Sequence, residues 1–336
     1  MSITLDPAAA PVRARGRVLP FPITPAEISL IAVIALLWVV LGFATPAFLS
    51  AGSLIPLLVE VAPVALIGIG MTFVIIAGGI DVSVGGAIMV CSVVTAKLMR
   101  DQQLPLIMCL IVALVIGAIL GLVNGVLIAY GRVHAIIITF GTANLFLFIG
   151  LQTFASQPVT GMPNTLAWFG RGAEGQTFGI PNSFAITVIL TAVAWWYLRH
   201  TPGGRHFFGV GGDPVAARLA GIRVQRRILM TYVITGLLIG LASIYTLAKG
   251  TSNLDQSVGN GQELAVIAAV VIGGTSIMGG RGSVLGTLLG ALLVQTVKSG
   301  VIQLNWPSQL SDLFVGIFIV LAVGTDLLRQ RTRRSI

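Results

Sequence analysis

The side chains best suited to gate or bind something sit in one stretch, Ala77–Gly86, which reads AGGIDVSVGG. A carboxylate, Asp81, and a hydroxyl, Ser83, lie between the glycine pairs Gly78-Gly79 and Gly85-Gly86, with long apolar runs on either side. Charge in hydrocarbon costs about 3 kcal/mol or more, so such groups face a bundle interior or a water-filled path. Irregular backbone at that depth is tolerated only where protein buries it or where it lines a cavity. Two readings are open. The stretch is a pathway or gating element, or it is a tight turn in which Asp81 caps the next helix. Glu60, Glu263 and Asp312 also fall in or beside apolar runs. With Asp81 they could form the relay of an ion-coupled secondary transporter. Asn124, Thr142 and Asn144 add neutral hydroxyl and amide groups, which suit an uncharged, hydroxyl-rich substrate better than a ring of charge. Each has the plainer use of hydrogen-bonding between packed helices.

Enzymatic chemistry finds little support. His134, His200 and His206 belong to no Ser-His-Asp, HExxH or paired-carboxylate pattern. Cys91 and Cys109 both fall in apolar segments, so no disulfide or metal spacing is suggested. GGRGS at Gly279–Ser283 lacks the lysine and the preceding strand of a phosphate-binding loop. Any nucleotide would be hydrolysed by another chain.

The elements that must position these groups are membrane helices. Of 336 residues 56% are hydrophobic and 9% charged, with mean hydropathy +0.98; soluble domains carry about 25% charged residues. The 41 glycines suit close helix packing in lipid. The pattern predicts an all-α, polytopic fold of about ten spans with two glycine-rich breaks. A basic arm (residues 1–27) precedes a transmembrane domain (28–328) and a basic tail (329–336). The expected spans are Ser29–Phe48, Ser53–Ile76, Ala87–Met99, Leu104–Tyr130, His134–Phe154, Ser183–Leu198, Ile228–Ala248, Glu263–Ile277, Val284–Val301, and a tenth from Trp306-Pro307 to Leu328. Pro63 should kink the second span or end its first turn. Residues 156–182, with Trp168-Phe169, cannot span and read as an external loop. The count becomes eight if the glycine breaks are re-entrant.

The net charge of +9 is not a nucleic-acid signature, because it lies in short loops and termini. With ten spans and the N-terminus cytoplasmic, fifteen Lys and Arg fall inside and five outside. That is the positive-inside bias, and it places both termini in the cytoplasm. The first break then falls toward the cytoplasmic ends of spans two and three. A weak internal echo accompanies it: VIIAGGIDVSVGG at Val74–Gly86 and VVIGGTSIMGG at Val270–Gly280, the second carrying Gly273-Gly274. Glycine-interrupted segments in two halves point to a transport site at a repeat interface.

The longest basic loop, 199–227, holds a short helix. After Gly212, Asp213 can cap the first amides and Pro214 suits the first helical position. Ala216, Ala217, Arg218, Leu219 and Ala220 continue it and Gly221 fits the stop. About two turns are too short to stand alone in water, so this helix should dock on its own bundle, on lipid, or on a cytosolic partner.

Three blocks together resemble one family. They are Gly70-Met71-Thr72 through AGGIDVSVG, the loop GxDPxAAxxAGI at Gly211–Ile222, and Glu263–Leu293. The family is the membrane-spanning permease subunit of bacterial ATP-binding-cassette importers of the ribose, xylose, rhamnose and autoinducer-2 type. The resemblance implies a non-catalytic inner-membrane subunit that pairs with a second permease, identical or not. It implies a cytosolic ATPase with two nucleotide-binding domains that binds the ATP–Mg, and a periplasmic solute-binding protein. The Asp213–Ala220 helix looks like the coupling helix that sits in a groove of the ATPase. AGGIDVSVG and Glu263–Gly282 look like pathway-adjacent elements. In the fifth span the chain departs from the family. Leu147-Phe148 stands where many sugar permeases have Arg-Gly, and His134 replaces a proline. The sugar and the choice between homo- and heterodimer stay open on this ground.

Overall fold

A computed structural model describes residues 24–162, 164–170, 172–249 and 253–334. Most of the basic N-terminal arm and Ser335-Ile336 lie outside these. Twelve helices are seen among the described residues. In chain order they are α1 (Pro25–Ala44), α2 (Ala51–Ile76), α3 (Val84–Asp101), α4 (Leu106–Ala129), α5 (Ala135–Phe154), α6 (Asn182–His200), α7 (Pro202–Gly212), α8 (Pro214–Leu219), α9 (Val224–Lys249), α10 (Gln262–Ile272), α11 (Val284–Gln303) and α12 (Gln309–Arg334). Six of them, α1, α2, α4, α5, α9 and α11, are long and apolar enough to cross a membrane. The end of the bundle where α1 begins is termed proximal, and the other distal.

Several boundaries differ from the sequence expectation for local reasons. α1 starts at Pro25 rather than Ser29, because Thr24 and Glu27 form a reciprocal capping box. α2 runs unbroken through both Pro56 and Pro63, so Pro63 does not end a turn. The basic loop contains a further helix, α7, whose glycines hid it; Thr201 caps it and Pro202 opens it. α12 continues to Arg334, through most of the stretch expected to be a tail. Between α5 and α6 the chain holds short paired segments: β1 (Val159–Thr160) pairs with β4 (Asn253–Leu254), which follows α9, and β2 (Gln176–Thr177) pairs with β3 (Ile180–Pro181).

The core is α2 and α3. α2 is buried along almost all of its last twenty residues, and most of α3 is buried too. α1, α4 and α5 bury one stripe and present Leu36, Ile111, Ile137 and Phe140 outward, as lipid-facing helices do. α4 and α9 pack antiparallel, with Gly117 and Gly121 against Gly236 and Gly240, and Gly125 against the Leu229 backbone. A Cβ at Gly117 would overlap the Gly236 carbonyl. Small residues at every fourth position let the two backbones touch.

Candidate functional site

Two features dominate the proximal half. The first is a buried polar chain around the first break. Asp81 accepts from the Ser83 amide (2.9 Å) and hydroxyl (2.6 Å) with one carboxylate oxygen. Asn124 on α4 donates to the Ser83 hydroxyl at 2.8 Å, and Thr142 on α5 donates to the Asn124 carbonyl at 2.7 Å. Thr139 donates to the Ile80 carbonyl at 3.2 Å. All five side chains are buried. Asn124 lies five residues from the end of α4, about 8 Å into the helix. The break is therefore irregular backbone buried within the bundle, and α3 starts inside it.

Four of the polar candidates read from sequence, Asp81, Ser83, Asn124 and Thr142, thus form one network. Asn144 does not join it: it is exposed and bonds the Phe140 carbonyl of its own helix. Asp81 does not cap α3. Ser83 is the N-cap residue, and Asp81 makes an Asx turn just before it. Glu263 lies in the first turn of α10 beside Gly85, where a Cβ would meet its carboxylate at 2.6 Å. Glu60 is elsewhere: sixteen residues of α2, about 24 Å, separate it from the proximal end. It pairs with Lys249 at 2.6 Å, an ion pair no local motif announced.

The second feature is a junction of three glycine pairs. α2 ends on a Schellman motif: Gly79 donates to Val74 and Gly78, at φ +86°, donates to Ile75. α10 ends the same way. Thr275 donates to Val270, and Gly274, at φ +88°, follows Gly273 and donates to Val271. The loop after α10 then meets the end of α2. The Gly280 amide donates to the Ile76 carbonyl at 2.9 Å. Gly211 packs on that same carbonyl, so closely that a Cβ would overlap it. A Cβ at Gly279 would lie 2.9 Å from the Gly211 carbonyl and 3.2 Å from Gly78 Cα; one at Gly280 would lie 3.0 Å from Gly212 Cα. Side chains are excluded here, so the segments meet backbone to backbone.

Gly212 leads directly into Asp213, whose carboxylate accepts from the Val215 and Ala216 amides at 2.8 and 3.0 Å. These bonds start α8, which runs to Leu219, with Ala220 as C-cap and Gly221 at φ +81° beyond it. Ala217 is buried against Val210 and Val224. Val215 and Leu219, four residues apart and so on one face, are 69% and 85% exposed. Arg218 adds a cation to the last turn. The start of α1 is tied in as well: Glu27 accepts from the Ser283 hydroxyl at 2.5 Å, and Ser283 caps α11.

Residues 53–323 match the family described as branched-chain amino acid transport system / permease component. The chain belongs to this permease family. Among its relatives are two ribose import permease proteins. That of Haemophilus influenzae is 35% identical, over 89% of this chain and 92% of the relative; that of Bacillus subtilis is 38% identical, over 87% and 89%. The fructose import permease protein of Rhizobium meliloti is 33% identical, over 83% and 79%. No solved structure matches. The chain is a multi-pass membrane permease subunit of an ATP-binding-cassette importer, and the ion-coupled relay gains no support.

Proposed function

We propose that this subunit carries a monosaccharide or related small polyol across the bacterial inner membrane, with the proximal end cytoplasmic. A separate ATPase with two nucleotide-binding domains drives it, ATP and magnesium belong to that chain, and a periplasmic binding protein delivers the solute. The membrane domain works as a pair, homo- or heterodimeric. The observation that carries the reading is α8. Its Val215 and Leu219 project from the proximal end, largely uncovered by the described residues of this chain, which suits a partner's groove.

In this mechanism, closure of the ATPase pair moves α8. Gly211 and Gly212 pass the displacement to the end of α2 and to Gly279-Gly280 in the loop after α10, without a compliant side chain between. The irregular break at 79–83 then shifts, and the network of Asp81, Ser83, Asn124 and Thr142 holds or releases it as an inner gate. Those groups satisfy one another, so they act as a latch more readily than as substrate contacts. Affinity purification of the tagged chain from its native membranes tests the reading. An ABC-type ATPase should co-purify, and Leu219→Asp should abolish that capture while leaving the chain in the membrane. ATPase capture unchanged in both Leu219→Asp and Ala217→Arg would overturn the docking role. Uptake that collapses with the proton gradient at constant ATP would overturn the importer itself.

A further inference from the structure

The distal half of the bundle holds a cavity of about 620 Å³ between the α1–α2 linker, the first half of α2 and the last turns of α11. Thr45, Ser53, Glu60, Gln295, Lys298 and Gln303 line it. This is a dense set of oxygens and nitrogens for so apolar a chain. Gln295 is 7% exposed and lies eight residues, about 12 Å, from the distal end of α11. Two oxygens at the wall, Thr45 Oγ1 and Gln303 Oε1, are buried with no hydrogen-bond partner among the described residues. Buried polar atoms are nearly always satisfied by protein, water or ligand, so these two point to an occupant. Small-molecule sites commonly measure about 300–1,000 Å³.

The charge in the wall is largely compensated, since Lys249 holds the Glu60 carboxylate. What remains is amides, hydroxyls and the Lys298 ammonium, a mixed set of donors and acceptors. Toward the proximal end the cavity is closed. Thr72 and Thr287 join hydroxyls at 2.7 Å, and a Cβ at Gly68 would lie 2.7 Å from the Thr287 methyl, so α2 and α11 touch there. Trp38 donates to Thr296 at 3.1 Å and pins α1 to the same wall.

We infer that this cavity is a vestibule binding a neutral polyhydroxylated solute, built by a single chain and opening at the distal end. The inference rests on the importer reading above and locates where that solute is first held. The test uses the whole transporter, with its ATPase and binding protein, in intact cells. Ser299→Cys, on the cavity wall, is labelled with a charged, membrane-impermeant methanethiosulfonate from outside; Cys91 and Cys109 are buried and set the background. Labelling should proceed and be slowed about fivefold or more by D-ribose. Gln295→Leu and Gln303→Leu should each lower ATP-dependent D-ribose uptake about tenfold at unchanged membrane level, the loss of about one hydrogen bond to the solute. An unreactive thiol, labelling that D-ribose leaves unchanged, or full uptake in both leucine variants would overturn the vestibule while the importer stands. D-ribose uptake by the wild-type transporter that collapses with the proton gradient at constant ATP would overturn the importer reading, and the vestibule with it.

Discussion

The two glycine breaks stop their helices identically and then part company. Both close α2 and α10 with the same pair of backbone bonds around a left-handed glycine, Gly78 at φ +86° and Gly274 at φ +88°. After the first stop the chain turns inward and is held by side chains from two further helices, through Asp81, Ser83, Asn124 and Thr142. After the second it makes a turn held mainly by its own backbone, where Ser276 donates to the Arg281 carbonyl, and by the Glu27 carboxylate of α1. The stop is local chemistry and repeats wherever the local sequence repeats. The use made of it depends on which helices stand next to it. Each break is joined to the other by Gly280 on Ile76, and to the end of α7, just before α8, by Gly211. The junction therefore treats the breaks as one mechanical unit, while the latch belongs to the first alone.

The largest expected effect breaks the junction itself. Gly211→Val sets a side chain into the Ile76 carbonyl, and overpacking against backbone costs about 3 kcal/mol, the upper part of its usual range. Monodisperse protein on size-exclusion chromatography and ATP-driven uptake should both be lost. Gly212→Ala is the matched control, since a Cβ there meets nothing within 4 Å; it should keep wild-type assembly. Equal behaviour of the two variants would mean that the glycines at the junction are incidental.

A second experiment separates the latch from the turn. Asp81→Ala strands the buried Ser83 amide, and an unsatisfied buried donor costs about 1–3 kcal/mol. Ser283→Ala removes a helix cap that is only partly buried, worth about 1 kcal/mol. Thermal unfolding in detergent should rank Asp81→Ala as the more destabilised. Asp81→Ala should also impair uptake coupled to ATP hydrolysis with the ratio of D-ribose to D-fructose uptake unchanged. A changed ratio with normal coupling would make Asp81 a substrate contact instead.

Legibility in the sequence divides along the same line between local and non-local chemistry. The α8 start was legible because Asp213-Pro214 is local cap chemistry, and the membrane class because apolar length is additive along the chain. The two helix stops were legible as a glycine echo. The partnership of Asp81 with Asn124 and Thr142 was not: it spans three segments, and nothing in spacing brings residues 81, 124 and 142 to one point. The same holds for Glu60 and Lys249, 189 positions apart. Asn144 shows the converse error. It is the same kind of side chain as Asn124, but two residues past Thr142 on a helix is about 200° round the axis, which turns it outward. α7 was lost for another reason. Its glycines outweighed the Thr201-Pro202 start, which is as clear as that of α8, and tertiary burial of Phe207 and Val210 overrode propensity.

The smallest effect tests whether the stops are truly equivalent. Gly78→Ala and Gly274→Ala both force an L side chain into left-handed backbone, at about 1–2 kcal/mol. Neither meets a steric obstacle: a Cβ at Gly78 touches nothing within 4 Å, and one at Gly274 lies 3.9 Å from the Ala26 Cβ. Restricting the unfolded chain returns about 0.4–1 kcal/mol. The net loss should be about 0–1.6 kcal/mol at each site, and asparagine, which tolerates this region, should lose less than alanine. Equal shifts in melting temperature establish that the helix stops are interchangeable. With stability so matched, any difference in uptake between Gly78→Ala and Gly274→Ala reports on the segment beyond the stop. Gly78 leads into the latched segment and Gly274 into the turn held by its own backbone, so Gly78→Ala should slow uptake more. The reverse order would move the gate to the second break.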